Sequence, residues 1–222
     1  LRSRYADLFA SDEWEDEARA LALGLGALDF MAPDTDLLRL WQESFGDNIA
    51  GFYVVEEEEI YLVTEAYLIG ASERVVFAHE FGHALQDQHF DLEALNLDRT
   101  SEPEYGDRVL ALQGLIEGEA VLIQEQYVES YFSDEDAADL LQDALNYRFT
   151  LSSEVPRVLG EVSMFPYLAG EEFVSALYDR GGWQAIDEAY TAPPLSTEQI
   201  LHPERYLSGD RPALVSLAPL TD

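Results

Sequence analysis

Cysteine and lysine are both absent from this chain of 222 residues. Without cysteine there is neither a disulfide framework nor a thiolate metal site, so any metal must be held by histidine and carboxylate ligands. That ligand set suits a catalytic zinc better than a structural one. Long apolar runs are absent too, since none reaches the roughly 18 residues that would span a membrane. The sequence therefore predicts no membrane span in this chain.

Basic residues are few. The chain has 12 arginines and 45 aspartates and glutamates, which gives a net charge of −33. Such a surface repels phosphate backbones and anionic lipids, so it predicts no nucleic-acid or membrane-surface partner. The composition is similar to that of proteins from salt-loving organisms, in which screening weakens the self-repulsion. The alternative is an acidic extracytoplasmic protein, and an extracytoplasmic location is the one favoured here.

The length predicts one domain over residues 1–222, and the sequence shows no internal repeat or linker that would divide it. No signal peptide is visible, but the chain begins at Leu1 rather than at methionine and ends in an apolar segment, residues 217–220. These ends predict a domain excised from a longer chain, with any targeting segment removed.

The segment His79–His83 is an H-E-x-x-H motif within a helix predicted from about Ser72 to Phe90. Two histidines four residues apart share one helix face, about 5–6 Å apart at Cβ, so both can bind one tetrahedral Zn²⁺. Glu80 follows the first histidine and can take a proton from a metal-bound water. The alternative is a helix with two surface histidines beside an ordinary glutamate. We also expect this helix to be buried, because apolar residues surround it: Val75, Val76, Phe77, Ala78 and Phe81.

Residues 49–64 predict a β-hairpin whose turn carries the acidic run 56–59. The other periodic segments predict helices, at about 11–28, 36–45, 107–132, 133–151, 153–168, 170–180, 183–190 and near 197. Pro166, Tyr167 and Leu168 end one of these helices and precede the helix at 170–180. The predicted fold class is therefore α+β, predominantly helical. A small antiparallel hairpin packs beside the metal helix and a second, glutamate-bearing helix. The hairpin edge is where an extended substrate would bind by strand addition.

Two residues compete as the third ligand. His89 completes the H-E-x-x-H-x-x-G-x-x-H spacing of metzincins, but Gln86 stands where that family has the glycine that turns the chain. If the helix continues, His89 lies about 240° around the axis from His83, away from the metal face. The other candidate is Glu117, a glutamate in an apolar neighbourhood beside Gly118, which lets another helix come close.

H-E-x-x-H followed by E-G-x-A, at residues 117–120, resembles the gluzincin zinc metallopeptidases, particularly the compact minigluzincins. The resemblance implies a zinc ion held by His79, His83 and Glu117, with Glu80 as the general base. Glu119 remains an alternative ligand. The run Ser-Thr-Glu-Gln-Ile-Leu-His-Pro at 196–203 is similar to a segment of uncharacterised bacterial and archaeal proteins that carry the same zinc motif.

The function predicted from these residues is zinc-dependent hydrolysis of peptide bonds in a peptide or protein substrate. Gluzincins often use a C-terminal histidine or tyrosine to stabilise the oxyanion, and His202 is the candidate here, followed by Tyr206 or Tyr167. Two other hypotheses are a catalytically silent, zinc-stabilised binding domain and an acidic helical domain without metal. An acidic rim favours basic or neutral peptides.

Overall fold

A computed structural model describes residues 12–40, 50–64, 69–95, 106–146 and 155–213. These residues form a predominantly helical α+β structure with a small antiparallel sheet, which confirms the predicted fold class. The elements are α1 Asp12–Ala27, β1 Gly51–Val54, β2 Glu59–Leu62, α2 Ala71–Phe90, α3 Gly106–Tyr131, α4 Asp134–Asn146, α5 Arg157–Gly181, α6 Trp183–Thr191, α7 Thr197–Leu201 and α8 Pro203–Ser208. Short 3₁₀ helices cover Val55–Glu57 and Glu93–Leu95.

The predicted hairpin is confirmed. Strands β1 and β2 pair antiparallel from Gly51 opposite Leu62 to Val54 opposite Glu59. Across this pair, the rings of Phe52 and Tyr61 stack with their centroids 5.2 Å apart. The acidic run forms the 3₁₀ turn and the start of β2, with Glu58 in the left-handed region at φ 53°. The glutamates of the turn are exposed, as expected of a solvated loop.

The chain divides into two compact units. One comprises Leu1–Asn96 and Ala120–Phe165, and the other comprises Leu97–Glu119 and Pro166–Asp222. Helices α3 and α5 each contribute residues to both units. The prediction of a single domain stays a prediction, because a division that runs through two continuous helices does not by itself define two domains.

In the first unit, a small core forms where α1 packs against the segments 31–38 and 155–159. Its buried members are Ala18, Ala22, Leu37 and Leu159. A second set of contacts surrounds Arg74 on α2, whose guanidinium lies 2.6 Å from Asp136 and 4.4 Å from the ring centroid of Phe132. Ser133 caps α4: its hydroxyl accepts the backbone N–H of Asp136, and its own N–H donates to the Asp136 carboxylate. These contacts hold α2 beside the end of α3 and the start of α4.

In the second unit, α3 and α5 approach at backbone contact. A Cβ atom added at Gly118 would overlap the carbonyl of Gly170, so only glycine fits there. The segment around α7 packs against the first half of α3. Thr197 donates its hydroxyl and its backbone N–H to the Asp107 carboxylate, and Ile200 lies against Gly114. The run at 196–203 therefore supports the helix that carries Glu117.

Two predictions about helices are wrong. The two helices predicted at 153–168 and 170–180 are one continuous helix, α5, with Pro166 in its interior. Proline costs roughly 3 kcal/mol in a helix interior, and here Pro166 is buried within the helix. The metal helix is not buried all round, since Phe77 and Phe81 are each 45% exposed. Both phenylalanines lie about 160–200° around the helix from His79, on the opposite face. Parts of the helices predicted at 36–45 and 133–151 lie outside the described residues.

No helix in the described part of the chain is both long enough and apolar enough to cross a membrane.

Candidate metal centre

Helix α2 carries the H-E-x-x-H motif and runs without a break through Gln86. At its start, the Glu73 carboxylate accepts the backbone N–H of Gly70 at 3.0 Å and the hydroxyl of Thr64 at 2.7 Å. These hydrogen bonds, the one from Thr64 foremost, hold the pKa of Glu73 below its usual value. The helix ends at Phe90 and is capped by Asp91, which adopts the left-handed conformation (φ 54°). As predicted, nothing at Gln86 turns the chain.

The Nε2 atoms of the two motif histidines, His79 and His83, point toward the same position. Their rings stand nearly perpendicular, at 88°, with centroids 4.8 Å apart, and the two Nε2 atoms are 3.2 Å apart. Two nitrogens bound about 2.0–2.1 Å from a tetrahedral zinc stand roughly 3.3 Å apart. The observed separation therefore fits two ligands of one metal ion.

Glu117 on α3 completes a group of three. One ligand atom from each of His79, His83 and Glu117 lies within 4.8 Å of the others. His83 and Glu117 are partly buried. The predicted meeting of these three residues is confirmed, and together they can hold a metal ion. The structure leaves the identity of that metal open.

Gly82, the residue before the second histidine, explains how close α3 comes to α2. A Cβ atom built on Gly82 would lie 3.3 Å from Cα of Ala120 and 3.3 Å from Cδ1 of Ile123. Ala120 is itself fully buried, and Glu117 precedes it by about one helical turn. Two small residues in a helix crossing let the backbones approach. The variable position of the motif thus has a packing role that the sequence pattern alone does not show.

Glu80 is 8% exposed, which is unusual for a carboxylate. It lies between the two histidines in sequence and does not belong to the three-residue group. Its predicted role as a base stays a prediction.

Glu119 is also buried, but it points to a different partner. The hydroxyl of Tyr190 on α6 donates to Glu119 Oε2 at 2.5 Å. Burial, followed by the charge of Glu119, the hydrogen bond to Glu119 and the charge of Glu117, raises the pKa of the Tyr190 phenol well above 10. Tyr190 therefore stays a neutral donor to Glu119, and Glu119 is not part of the three-residue group. This buried pair was not predicted from the sequence.

Gln86 also contacts His83, a contact that was not predicted from the sequence. Its side chain is buried, at 2% exposure, and its Oε1 lies 2.8 Å from Nδ1 of His83. The only signal in the sequence is the spacing, because residues three apart on a helix are neighbours. A polar residue three positions after His83 in a largely apolar helix indicates a hydrogen bond to the imidazole.

The remaining predicted residues lie outside the three-residue group. His89 is exposed near the end of α2, and its Nδ1 contacts the backbone carbonyl of Leu85 at 2.8 Å. His202 joins α7 to α8, where its imidazole is about half exposed and its Nδ1 lies 3.6 Å from Glu204. Tyr206 donates its hydroxyl to the Ala192 carbonyl at 3.0 Å, and Tyr167 is partly exposed. The oxyanion role of His202 stays a prediction.

Comparisons with protein-family models, with curated proteins and with solved structures find no significant match to this chain.

Proposed function

We propose that this chain is a zinc-dependent peptidase. The observation that supports the proposal best is the convergence of His79, His83 and Glu117, one ligand atom from each within 4.8 Å of the others, with the buried Glu80 in the same motif. A site that only stabilises the fold is usually closed by four protein ligands and has no use for the glutamate between the two histidines.

Zinc is the metal that the H-E-x-x-H motif favours, since the donor set alone is shared with non-haem iron(II) sites. Two imidazole nitrogens and one carboxylate oxygen, without sulfur, are the ligands of open catalytic zinc sites, whereas magnesium and calcium prefer oxygen ligands alone. A bound zinc ion would supply Lewis-acid chemistry, because it polarises a carbonyl and brings the pKa of water toward about 7.

In this proposal, Glu80 is the group that moves the proton. Its carboxylate takes a proton from the attacking water as the water oxygen bonds to the peptide carbonyl carbon. It then gives the proton to the amine nitrogen as the C–N bond breaks. The products are a carboxylic acid and an amine, and Glu80 returns to its starting state. His202 remains our candidate donor to the developing oxyanion, with Tyr206 and Tyr167 behind it.

Metal content and hydrolysis together test this function. We expect the protein purified with zinc to carry close to one equivalent and to cleave peptides in a mixed library. Glu80→Gln should retain the zinc and lose the cleavage by at least about 100-fold. Glu129→Gln, an exposed glutamate on α3, is the matched control and should change neither.

Each other result has a distinct meaning. A zinc content below roughly 0.2 equivalents in the wild type would refute the metal site and favour the hypothesis of an acidic helical domain without metal. Bound zinc with no cleavage of any peptide would favour the silent binding domain. Cleavage that survives in Glu80→Gln would show that another group is the base.

A further inference from the structure

Gln86 is one of the most buried polar residues in the described part of the chain, at 2% exposure. A buried amide costs free energy unless its polar atoms are hydrogen-bonded. In this structure its Oε1 lies 2.8 Å from Nδ1 of His83, one turn earlier on α2. The contact is therefore a partly buried hydrogen bond to one of the three residues of the metal centre.

The chemistry of this hydrogen bond determines the state of His83. An amide oxygen only accepts hydrogen bonds, so the proton between the two residues belongs to Nδ1 of His83. A neutral imidazole with a proton on Nδ1 has its lone pair on Nε2. That Nε2 is the atom that faces Nε2 of His79 at 3.2 Å.

We propose that Gln86 is a positioning residue for the metal centre. It holds His83 in the tautomer with a proton on Nδ1, and it fixes the ring so that Nε2 points at the ion. Ligand histidines in metal sites usually donate their second N–H to a fixed acceptor, and loss of that acceptor weakens metal binding about 10–100-fold. The proposal rests on the metal site of the proposed function, and it requires no peptidase activity.

The geometry also explains why this acceptor comes from the same helix. Gln86 follows His83 by three residues, so both side chains lie on neighbouring positions of one face. A continuous helix through Gln86 is necessary for this contact. A glycine that turned the chain at this position would remove both the amide and the helix that places it.

Zinc affinity in the full chain is the direct test. Gln86→Leu and Gln86→Met remove the acceptor at nearly constant volume, and both should weaken Zn²⁺ binding about 10–100-fold in a chelator competition. Gln86→Glu keeps an acceptor oxygen and should bind within about threefold of the wild type. Gln88→Leu, an exposed glutamine on the same helix, is the matched control and should bind like the wild type.

A measurement on the wild type needs no variant. Histidine ¹⁵N chemical shifts of the zinc-loaded protein should show His83 protonated at Nδ1 and bound through Nε2. Binding through Nδ1 would overturn the proposal, as would unchanged zinc affinity in folded Gln86→Leu and Gln86→Met. A wild type that binds no zinc would instead overturn the proposed function, so the two failures are distinguishable. Melting temperatures of the metal-free variants separate a loss of folding from a loss of affinity.

Discussion

Gly82 faces Ala120 so closely that a Cβ atom on the glycine would lie 3.3 Å from Cα of the alanine. A bulky residue there must push α2 and α3 apart, and these helices carry the histidines and Glu117. We expect Gly82→Leu to lower the free energy of unfolding by about 1–3 kcal/mol. It should also weaken zinc binding, which urea denaturation and metal titration would measure.

The control for this prediction is Gly24→Leu. Gly24 is also helical, but a Cβ atom there would meet nothing within 4 Å. This variant should gain stability, by up to about 1 kcal/mol, from the better helix propensity of leucine. Equal losses at the two positions would contradict the close approach of α2 and α3.

The choice of third ligand gives a second prediction. Glu117→Gln should weaken zinc binding by more than about 100-fold, since even outer hydrogen-bond partners contribute 10–100-fold. Glu119→Gln should keep the zinc, because the amide oxygen can still accept the Tyr190 hydroxyl. His89→Ala should keep it as well, since this histidine is exposed and contacts the backbone of its own helix. Loss of zinc from His89→Ala alone would favour the metzincin-like ligand set.

The buried Tyr190–Glu119 pair gives a third prediction. Tyr190→Phe removes the donor from a buried carboxylate, and we expect the free energy of unfolding to fall by about 1–3 kcal/mol. Tyr131→Phe, at a tyrosine that is 71% exposed, should change it by less than about 0.5 kcal/mol. Urea denaturation of both variants is the measurement. A loss of similar size at Tyr131 would show that the hydrogen bond to Glu119 is not the cause.

Alkaline pH should reveal the contact between Tyr53 and Asp87. Burial first, and then the hydrogen bond to Asp87, raise the pKa of Tyr53 to about 12. A raised pKa in the folded state means that the contribution to stability is complete below the unfolded value of about 10. It is then lost as the pH rises through about 12.

We therefore expect the free energy of unfolding of the wild type to fall more steeply between pH 10 and 12 than that of Tyr53→Phe. Urea denaturation at several pH values would measure both slopes. Hydrogen bonds to Glu59 and Glu57 also raise the pKa of Tyr61 to about 12. Because Tyr61 is present in both proteins, its contribution to the pH dependence cancels in the comparison. Parallel slopes would show that Tyr53 does not contribute.

The net charge of −33 predicts that salt stabilises the fold. Raising NaCl from about 0.1 to 1 M shortens the Debye length from about 10 to 3 Å, which screens the repulsion among the carboxylates. The melting temperature should therefore rise across this range, in NaCl and KCl alike. A melting temperature that stays constant or falls would show that this repulsion is not important for stability.

The local sequence was sufficient to predict the features that depend only on residues close to one another in the chain. The hairpin around residues 56–59 follows from strand formers on both sides of a polar turn. The shared face of His79 and His83 follows from the helical period alone. The segment around Pro166 is the counterexample, because two helices were predicted at 153–168 and 170–180 and the single helix α5 runs through both.

By itself, therefore, the sequence determined the two histidines, the glutamate between them and the absence of cysteine ligands. It left both Glu117 and Glu119 as candidates, since the two are adjacent to Gly118 and equally acidic. They lie about 200° apart on α3, so they face nearly opposite sides. Tertiary packing decided between them: Gly82 lets α2 approach Ala120, Glu117 joins the histidines, and Glu119 pairs with Tyr190. The contact between Gln86 and His83 likewise required the folded helix, because only there do residues three apart become neighbours.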